Sequence, residues 1–214
     1  MYLRLAFNQI YQRARDDDAA IIPCGGPTNC SPPYEGTEAR TISTYLKTLM
    51  DREAVAGVTK KWRILEEDQS LSSLENLVFA ANIIKQHNLS GHVTIFCEFS
   101  RGNKLQTFAP HIFKDRSINV VSIDFDISKN RYLDPEVIQR KEALGIKEGL
   151  WTLEDSERLK RHHEFFQRKF DFLRKRQSEG LSHVDAVEEW FKYEKDFMSQ
   201  LMPDHPLLQE MRGI

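Results

Sequence analysis

The chain is 214 residues long, 40% hydrophobic and 29% charged, with 30 basic side chains against 32 acidic ones. That balance belongs to a folded globular protein, and a net charge of -2 gives no electrostatic pull toward nucleic acid or an anionic membrane. The length suits one sizeable domain with an appendage. No apolar run approaches the ~20 residues that span a bilayer, and the N-terminus lacks the apolar stretch of a signal peptide. Cys24, Cys30 and Cys97 form an odd, sparse set, which argues against a disulfide framework and for a reducing compartment, the cytosol by default.

Taken in chain order, Leu3, Phe7, Ile10 and Tyr11 predict a short amphipathic helix. AAIIP (19–23) then reads as a buried strand stopped by Cys24, Gly25 and Gly26. Three prolines and three glycines within 25–36 forbid regular structure, after which Thr37 caps a helix carrying Ile42, Tyr45, Leu46 and Leu49. Strands are predicted at 62–65, 92–97 and 118–125, separated by helices at 74–86 and 104–113. Strands alternating with helices of this length imply right-handed βαβ units. The expectation is therefore an α/β unit over 1–126: a Rossmann-like open, mostly parallel sheet with helices on both faces.

Beyond Asp126 the pattern changes to a mainly helical extension, 127–214. A helix is predicted at 135–143. Thr152 with Asp155 reads as a capping box opening a long helix with Leu159, Phe166, Phe170 and Leu173 on one face and Gly180 at its end. Ser182 caps a second helix with Val184, Val187, Phe191, Met198 and Leu201 on one side. Together they predict a helical hairpin packed on the sheet domain or on another chain.

Ligands of open parallel sheets sit at the carboxyl ends of the strands. The candidates there are Cys24, Gly25, Gly26, Thr28 and Asn29; then Glu66 to Asn76; then Glu98, Ser100, Arg101, Asn103 and Lys104; and last Asp124 and Asp126. The two glycines let backbone N–H groups approach an anion, or simply make a turn. In EDQSLSSLEN, Ser72 or Ser73 can cap a helix whose first turn holds Glu75 and Asn76.

Other signals are weaker. The alternating oxygens from Asp126 to Asp134 fail as a calcium loop, with Arg131 and Val137 where glycine and glutamate are needed. Asp124 and Asp126 suit a solvated strand end better than a metal or ribose site. His162 and His163 lack a ligand four residues away for zinc. Cys24 and Cys30 make neither a zinc ribbon nor a redox pair, and the basic stretch from Arg158 to Arg176 is nearly balanced by acids, as a solvated face would be.

Four stretches resemble one known family in the right order. They are IIPCGG, TEARTISTYL with its Glu38–Ala39 pair, EEDQSLSSLEN with Glu67, Ser70, Ser73, Glu75 and Asn76, and VTIFCEFSRGNKLQTFA. Over about residues 1 to 125 the chain resembles the domain of unknown function 218 family, the YdcF-, SanA- and ElyC-like proteins, and looks like a soluble member. The resemblance implies a pocket for a small polar or nucleotide-like ligand, with S-adenosylmethionine the associated cofactor and no general reaction. It implies a site of Gly25, Gly26, Thr28, Glu38, Glu67, Ser70, Ser73, Glu75, Asn76, Glu98 and Arg101. In it the Gly-Gly turn and Arg101 hold an anionic group, Glu75 and Asn76 orient polar edges, and Glu67 or Glu98 is the general base if there is one. On this reading Glu75→Ala abolishes binding and leaves the fold intact.

The chain departs from the family twice. Ser100 stands where a histidine is expected, with Arg101 and Lys104 as basic substitutes. Family members also begin with a strand and a glycine turn ahead of the first helix, whereas this sequence begins at that helix. The expected sheet thus lacks its central strand: either the sequence is an incomplete version of a longer chain, or the gap is repaired by the C-terminal helices, a re-ordered sheet or a partner chain. The alternative function is a non-catalytic interaction module in which the C-terminal hairpin forms a homodimer or recruits a partner through Trp190, Phe191 and Phe197. A metal-dependent hydrolase using Asp124 and Asp126 is a third.

Overall fold

The computed structural model describes residues 2–30, 32, 34–124 and 135–210 and is mixed α/β. In chain order the elements are α1 (Tyr2–Ala14), β1 (Ala20–Ile21), α2 (Glu38–Met50), α3 (Glu53–Thr59), β2 (Arg63–Ile64) and α4 (Ser73–Gln86). They continue with β3 (Val93–Glu98), a 3-10 turn (Phe99–Arg101), α5 (Gly102–Ile112), β4 (Ile118–Ile123), α6 (Pro135–Leu153), α7 (Ser156–Ser178), α8 (His183–Leu201) and α9 (Pro206–Glu210). No helix among the described residues is long and apolar enough to cross a membrane.

The strands pair as two separate parallel ladders, β1 with β2 and β3 with β4, where one continuous sheet was expected. The β1–β2 ladder is short for a local reason. Ala19, Ile21 and Pro23 carbonyls accept from Arg63, Leu65 and Glu67 N–H groups, but Pro23 has no N–H to return. Pairing resumes only at the bridge between Cys24 and Glu67. The β3–β4 ladder runs six residues, Val93 against Ile118 through Glu98 against Ile123.

Helix α4 connects the two ladders, leading from β2 to β3. The amino end of α4 packs beside the carboxyl end of β1, where Gly26 N–H donates to the Ser70 carbonyl at 2.7 Å. The chain leaving α4 then enters β3 at its amino end.

One face of the strands is covered by α1, α2 and α3 through Phe7, Leu46, Leu49 and Trp62. The other is covered by α4 and α5 through Leu74, Leu77, Ile84, Leu105 and Phe108, which meet Ile22, Ile95 and Val120. The caps expected at Thr37 and Ser182 accept from the Arg40 and Asp185 N–H groups, and of the two candidates for α4 it is Ser72 that caps, accepting from Glu75 N–H.

Helix α6 lies on α5 so closely that a Cβ on Gly149 would come within 2.1 Å of the Phe108 ring. It runs ten residues past the end predicted for it, taking Thr152 into its last turn. The capping-box reading therefore fails, and Asp155 alone caps α7, accepting from Glu157 N–H. Helix α3 was not foreseen, being seven residues without apolar periodicity. The hairpin of α7 and α8 closes on its own core of Phe165, Leu173, Ala186, Trp190, Met198 and Met202, sealed by α9.

Candidate functional site

A cleft of about 1070 Å³ separates the two ladders. Its walls are Ala19–Cys24 and Val93–Glu98, and one face of α4 (Ser73, Asn76, Leu77, Ala80 and Ile84) lines it lengthwise. Leu3 and Ile10 of α1 and Ile42 and Leu46 of α2 close the opposite side. The middle is apolar and the ends are polar. At the carboxyl end stand Cys24, Asn29, Thr37, Glu38, Ser73, Asn76, Glu98 and Arg101; at the amino end stand Arg13, Asp17, Asp18, His92 and Arg116.

Of the predicted site residues, Glu38, Ser73, Asn76, Glu98 and Arg101 meet at the carboxyl-end mouth. Glu98 and Arg101 are half-exposed and pair at 3.5 Å. Glu38 accepts a 2.7 Å hydrogen bond from Thr28 Oγ1. The glycines, by contrast, are occupied within the protein. Gly25 N–H donates to the Glu67 carbonyl and Gly26 N–H to the Ser70 carbonyl, so neither is free for an anion.

What requires glycine here is close approach. A Cβ on Gly26 would lie 2.5 Å from the Ser70 carbonyl oxygen, and one on Gly25, at φ +138°, 2.6 Å from Glu38 Cβ. The turn is a seam between three segments.

Glu67 is likewise committed. Only 3% exposed, it accepts from Gln69 N–H and Ser70 N–H at 2.9 Å each and from Ser70 Oγ, which also meets the Asn76 amide. A carboxylate holding three donors of its own loop shapes the mouth from behind and is not placed to take a substrate proton. Lys104, read as a basic substitute at the mouth, is instead bonded to Glu142 of α6 at 2.9 Å. Cys24 lines the cleft, but burial, aided by the Glu67 charge, pushes its thiol up to about 12. Burial first, then nearby Cys97 and Glu98, raises the Tyr2 phenol to about 12 at the same end.

Glu75 is fully buried and faces away from the cleft. Its Oε2 accepts from Leu71 N–H at 2.7 Å and meets His163 Nδ1 at 3.1 Å, while Oε1 lies 3.8 Å from His162 Nε2. His162 also reaches Ser72 Oγ at 3.1 Å and Glu148 at 3.3 Å, and His205 approaches Glu148 at 3.7 Å. Burial alone would raise the Glu148 carboxyl, but the approach of His162 and His205 outweighs it and holds the acid well below the usual carboxylate range.

This chain of acids and imidazoles ties α4 to α6, α7 and α9. One signal for it lay in the sequence: His162 and His163 fall three and four residues after Leu159 on the stripe that continues to Phe166 and Phe170. Imidazoles on a buried face need partners.

No family model, curated protein or solved structure matches this chain.

The hairpin residues assigned to an interface divide differently. Trp190 is fully buried and stacks on Phe197 at 5.2 Å within the hairpin's own core; Phe191 is 47% exposed. From α7, Arg174 donates to the Asn29 carbonyl at 2.9 Å and to the Pro27 carbonyl, holding the loop beside the mouth. Asp124 is exposed at the end of β4, and Asp126 and the candidate calcium loop lie outside the described residues.

Proposed function

We propose that this protein binds a small polar, nucleotide-like ligand at the carboxyl-end mouth of the cleft. The observation that carries the reading is the convergence there of Glu38, Asn76, Glu98 and Arg101, drawn from separate segments, above an apolar cavity. This reading takes the two ladders as halves of a Rossmann-like unit.

Arg101 supplies a fork for a phosphate or carboxylate. Glu38 and Glu98 accept from hydroxyl or amino groups, the Asn76 amide meets a base or amide edge, and the apolar walls take a flat ring. S-adenosylmethionine carries such groups and is the first candidate. Glu98, half-exposed and cleft-lining, is the one predicted general base left in position.

A thermal-shift series with S-adenosylmethionine, nucleotides and sugar phosphates tests the reading. A ligand at 100 times its Kd stabilises the folded state by ~2.7 kcal/mol, which for a chain of this size is a rise of roughly 5–10 °C. One class is expected to raise the melting temperature of the wild type and to lose that effect in Arg101→Gln. A cooperative melt moved by no class would overturn the proposal.

A further inference from the structure

We infer that Ser72, His162 and Glu148 form a serine-hydrolase triad that cleaves carboxylic esters of small acyl groups. This site stands apart from the ligand at the mouth: Ser73 lines the cleft, whereas Ser72, His162 and Glu148 lie outside it.

The geometry of one imidazole carries the argument. Ser72 Oγ lies 3.1 Å from His162 Nε2, and the other ring nitrogen, Nδ1, faces Glu148 Oε1 at 3.3 Å. Hydroxyl and carboxyl thus stand on opposite nitrogens of the same ring, brought together from the amino end of α4, from α6 and from α7. In that arrangement an imidazole takes the hydroxyl proton while a carboxylate holds the ring.

The protons fall in the required places. The Glu148 carboxyl, held well below the usual carboxylate range, only accepts at neutral pH. This favours the ring proton on Nδ1 and leaves Nε2 bare toward Ser72. Ser72 Oγ already accepts from Glu75 N–H at 3.2 Å, so its own proton is free to point at Nε2.

Two buried atoms beside the ring have no hydrogen-bond partner: His162 Nδ1, and Glu75 Oε1 at 3.8 Å from Nε2. A neutral ring leaves both under-satisfied, whereas an imidazolium carries an N–H on each nitrogen, one toward each carboxyl. The surroundings therefore suit the charged ring that forms during proton transfer. Separations of this size are those of a resting site, and they tighten as charge develops.

Ser72 is half-buried and His162 is 3% exposed, so a substrate meets the hydroxyl and not the base behind it. Ser73 N–H, the first of α4, has no acceptor within the helix and directly follows the nucleophile; it supplies an oxyanion donor. With Leu71 and Leu74 buried on either side, and Ser72 outside the apolar cleft, the hydroxyl suits a short acyl group.

In the reaction, Ser72 Oγ bonds to the ester carbonyl carbon as its proton passes to Nε2. The bond from that carbon to the alcohol oxygen then breaks, and Nε2 gives the proton to the leaving oxygen. Water attacks the acyl-Ser72 in turn, its proton going to Nε2; the carbon–Oγ bond breaks, the proton returns to Ser72 and the acid departs.

The test treats the full-length chain with diisopropyl fluorophosphate and, separately, follows hydrolysis of p-nitrophenyl acetate. The proposal expects one phosphoryl adduct, placed on Ser72 by tandem mass spectrometry and formed roughly a thousandfold or more faster in native buffer than in the urea-unfolded chain. Ser72→Asn keeps a capping oxygen for the Glu75 N–H and should melt like the wild type yet lose both adduct and turnover. Glu148 acts through the ring as a positioning residue: where Glu148→Gln is folded, kcat should fall by roughly 10³–10⁴ with KM unchanged. A natively folded wild type that gains no adduct on Ser72 overturns the proposal, as does an adduct confined to Ser70 or Ser73, or turnover that survives in Ser72→Asn. Should Ser72→Asn fail to fold, the site of the wild-type adduct decides alone.

Discussion

Replacing Glu75 separates two accounts of the EDQSLSSLEN segment. If this carboxylate oriented a ligand, its loss would remove affinity and spare the fold; its surroundings imply the reverse. Glu75→Ala strips the acceptor from the buried Leu71 N–H, bonded at 2.7 Å, and from His163 at 3.1 Å. An orphaned buried donor costs about 1–3 kcal/mol, and the vacated space adds about 1 kcal/mol. Together with the lost contact to His163 these come to about 2–4 kcal/mol.

With a urea slope of about 2–3 kcal/mol/M, the unfolding midpoint should fall by roughly 1–2 M. Glu75→Gln keeps an oxygen for Leu71 and should lose about half as much. Equilibrium urea unfolding of the three proteins, followed by far-UV circular dichroism, reads the order directly. If Glu75→Ala unfolded at the wild-type midpoint, the assignment of Glu75 to the α4–α7 junction would be wrong and its place in a ligand site would be restored.

Other variants test other joints of the structure. Glu148→Gln should be about 2–4 kcal/mol less stable at pH 7. The folded-state pKa of Glu148 is depressed below the unfolded value of about 4.3, so its contribution is fully present above that pH and is lost as the pH falls toward the folded value; the gap between variant and wild type should close in acid urea titrations. Gly26→Ala drives a methyl group into the Ser70 carbonyl at 2.5 Å and should cost about 2 kcal/mol or more in the same unfolding assay, whereas Gly57→Ala, with open space around its Cβ, should be neutral or slightly stabilising in its helix. Cys24, its thiol raised to about 12, should react with Ellman's reagent at pH 8 roughly a thousandfold more slowly than a free cysteine, and fast labelling in native buffer, tracked by mass spectrometry, would contradict that raised pKa.

What could be read from the sequence was what neighbours in sequence determine. The caps at Thr37, Ser72 and Ser182 and the apolar runs of β3 and β4 are local patterns, and they fall where the residues place them within a position or two. Thr152 misled because a threonine three residues before an acid reads as a cap whether or not the preceding helix has ended. The α5–α6 contact at Gly149 and Phe108 carried that helix onward.

The site was legible only in part, for a related reason. Glu67, Glu75 and Glu98 look alike along the chain, and what separates them is which donors surround each carboxylate. Glu75 meets an imidazole 88 positions away. Glu98 pairs with Arg101, three residues on, and lines the cleft. The glycine pair was correctly singled out, but the demand it answers is steric contact with Ser70 and Glu38.

The network from Glu75 through His162 and Glu148 to His205 also bears on how this chain can be dissected. A fragment ended at residue 126, the boundary that composition suggests, would retain the Glu75 carboxyl under a roof that had been taken away, along with the bare flanks of α4 and α5. The loop that Arg174 pins would be loose as well. The helical segment is therefore a keystone and not a tail: truncation libraries, split-protein fusions and shuffled chimaeras cut at that junction should yield insoluble halves, whereas insertions at Gly180, an exposed turn with positive φ and nothing near its Cβ, should be carried without loss.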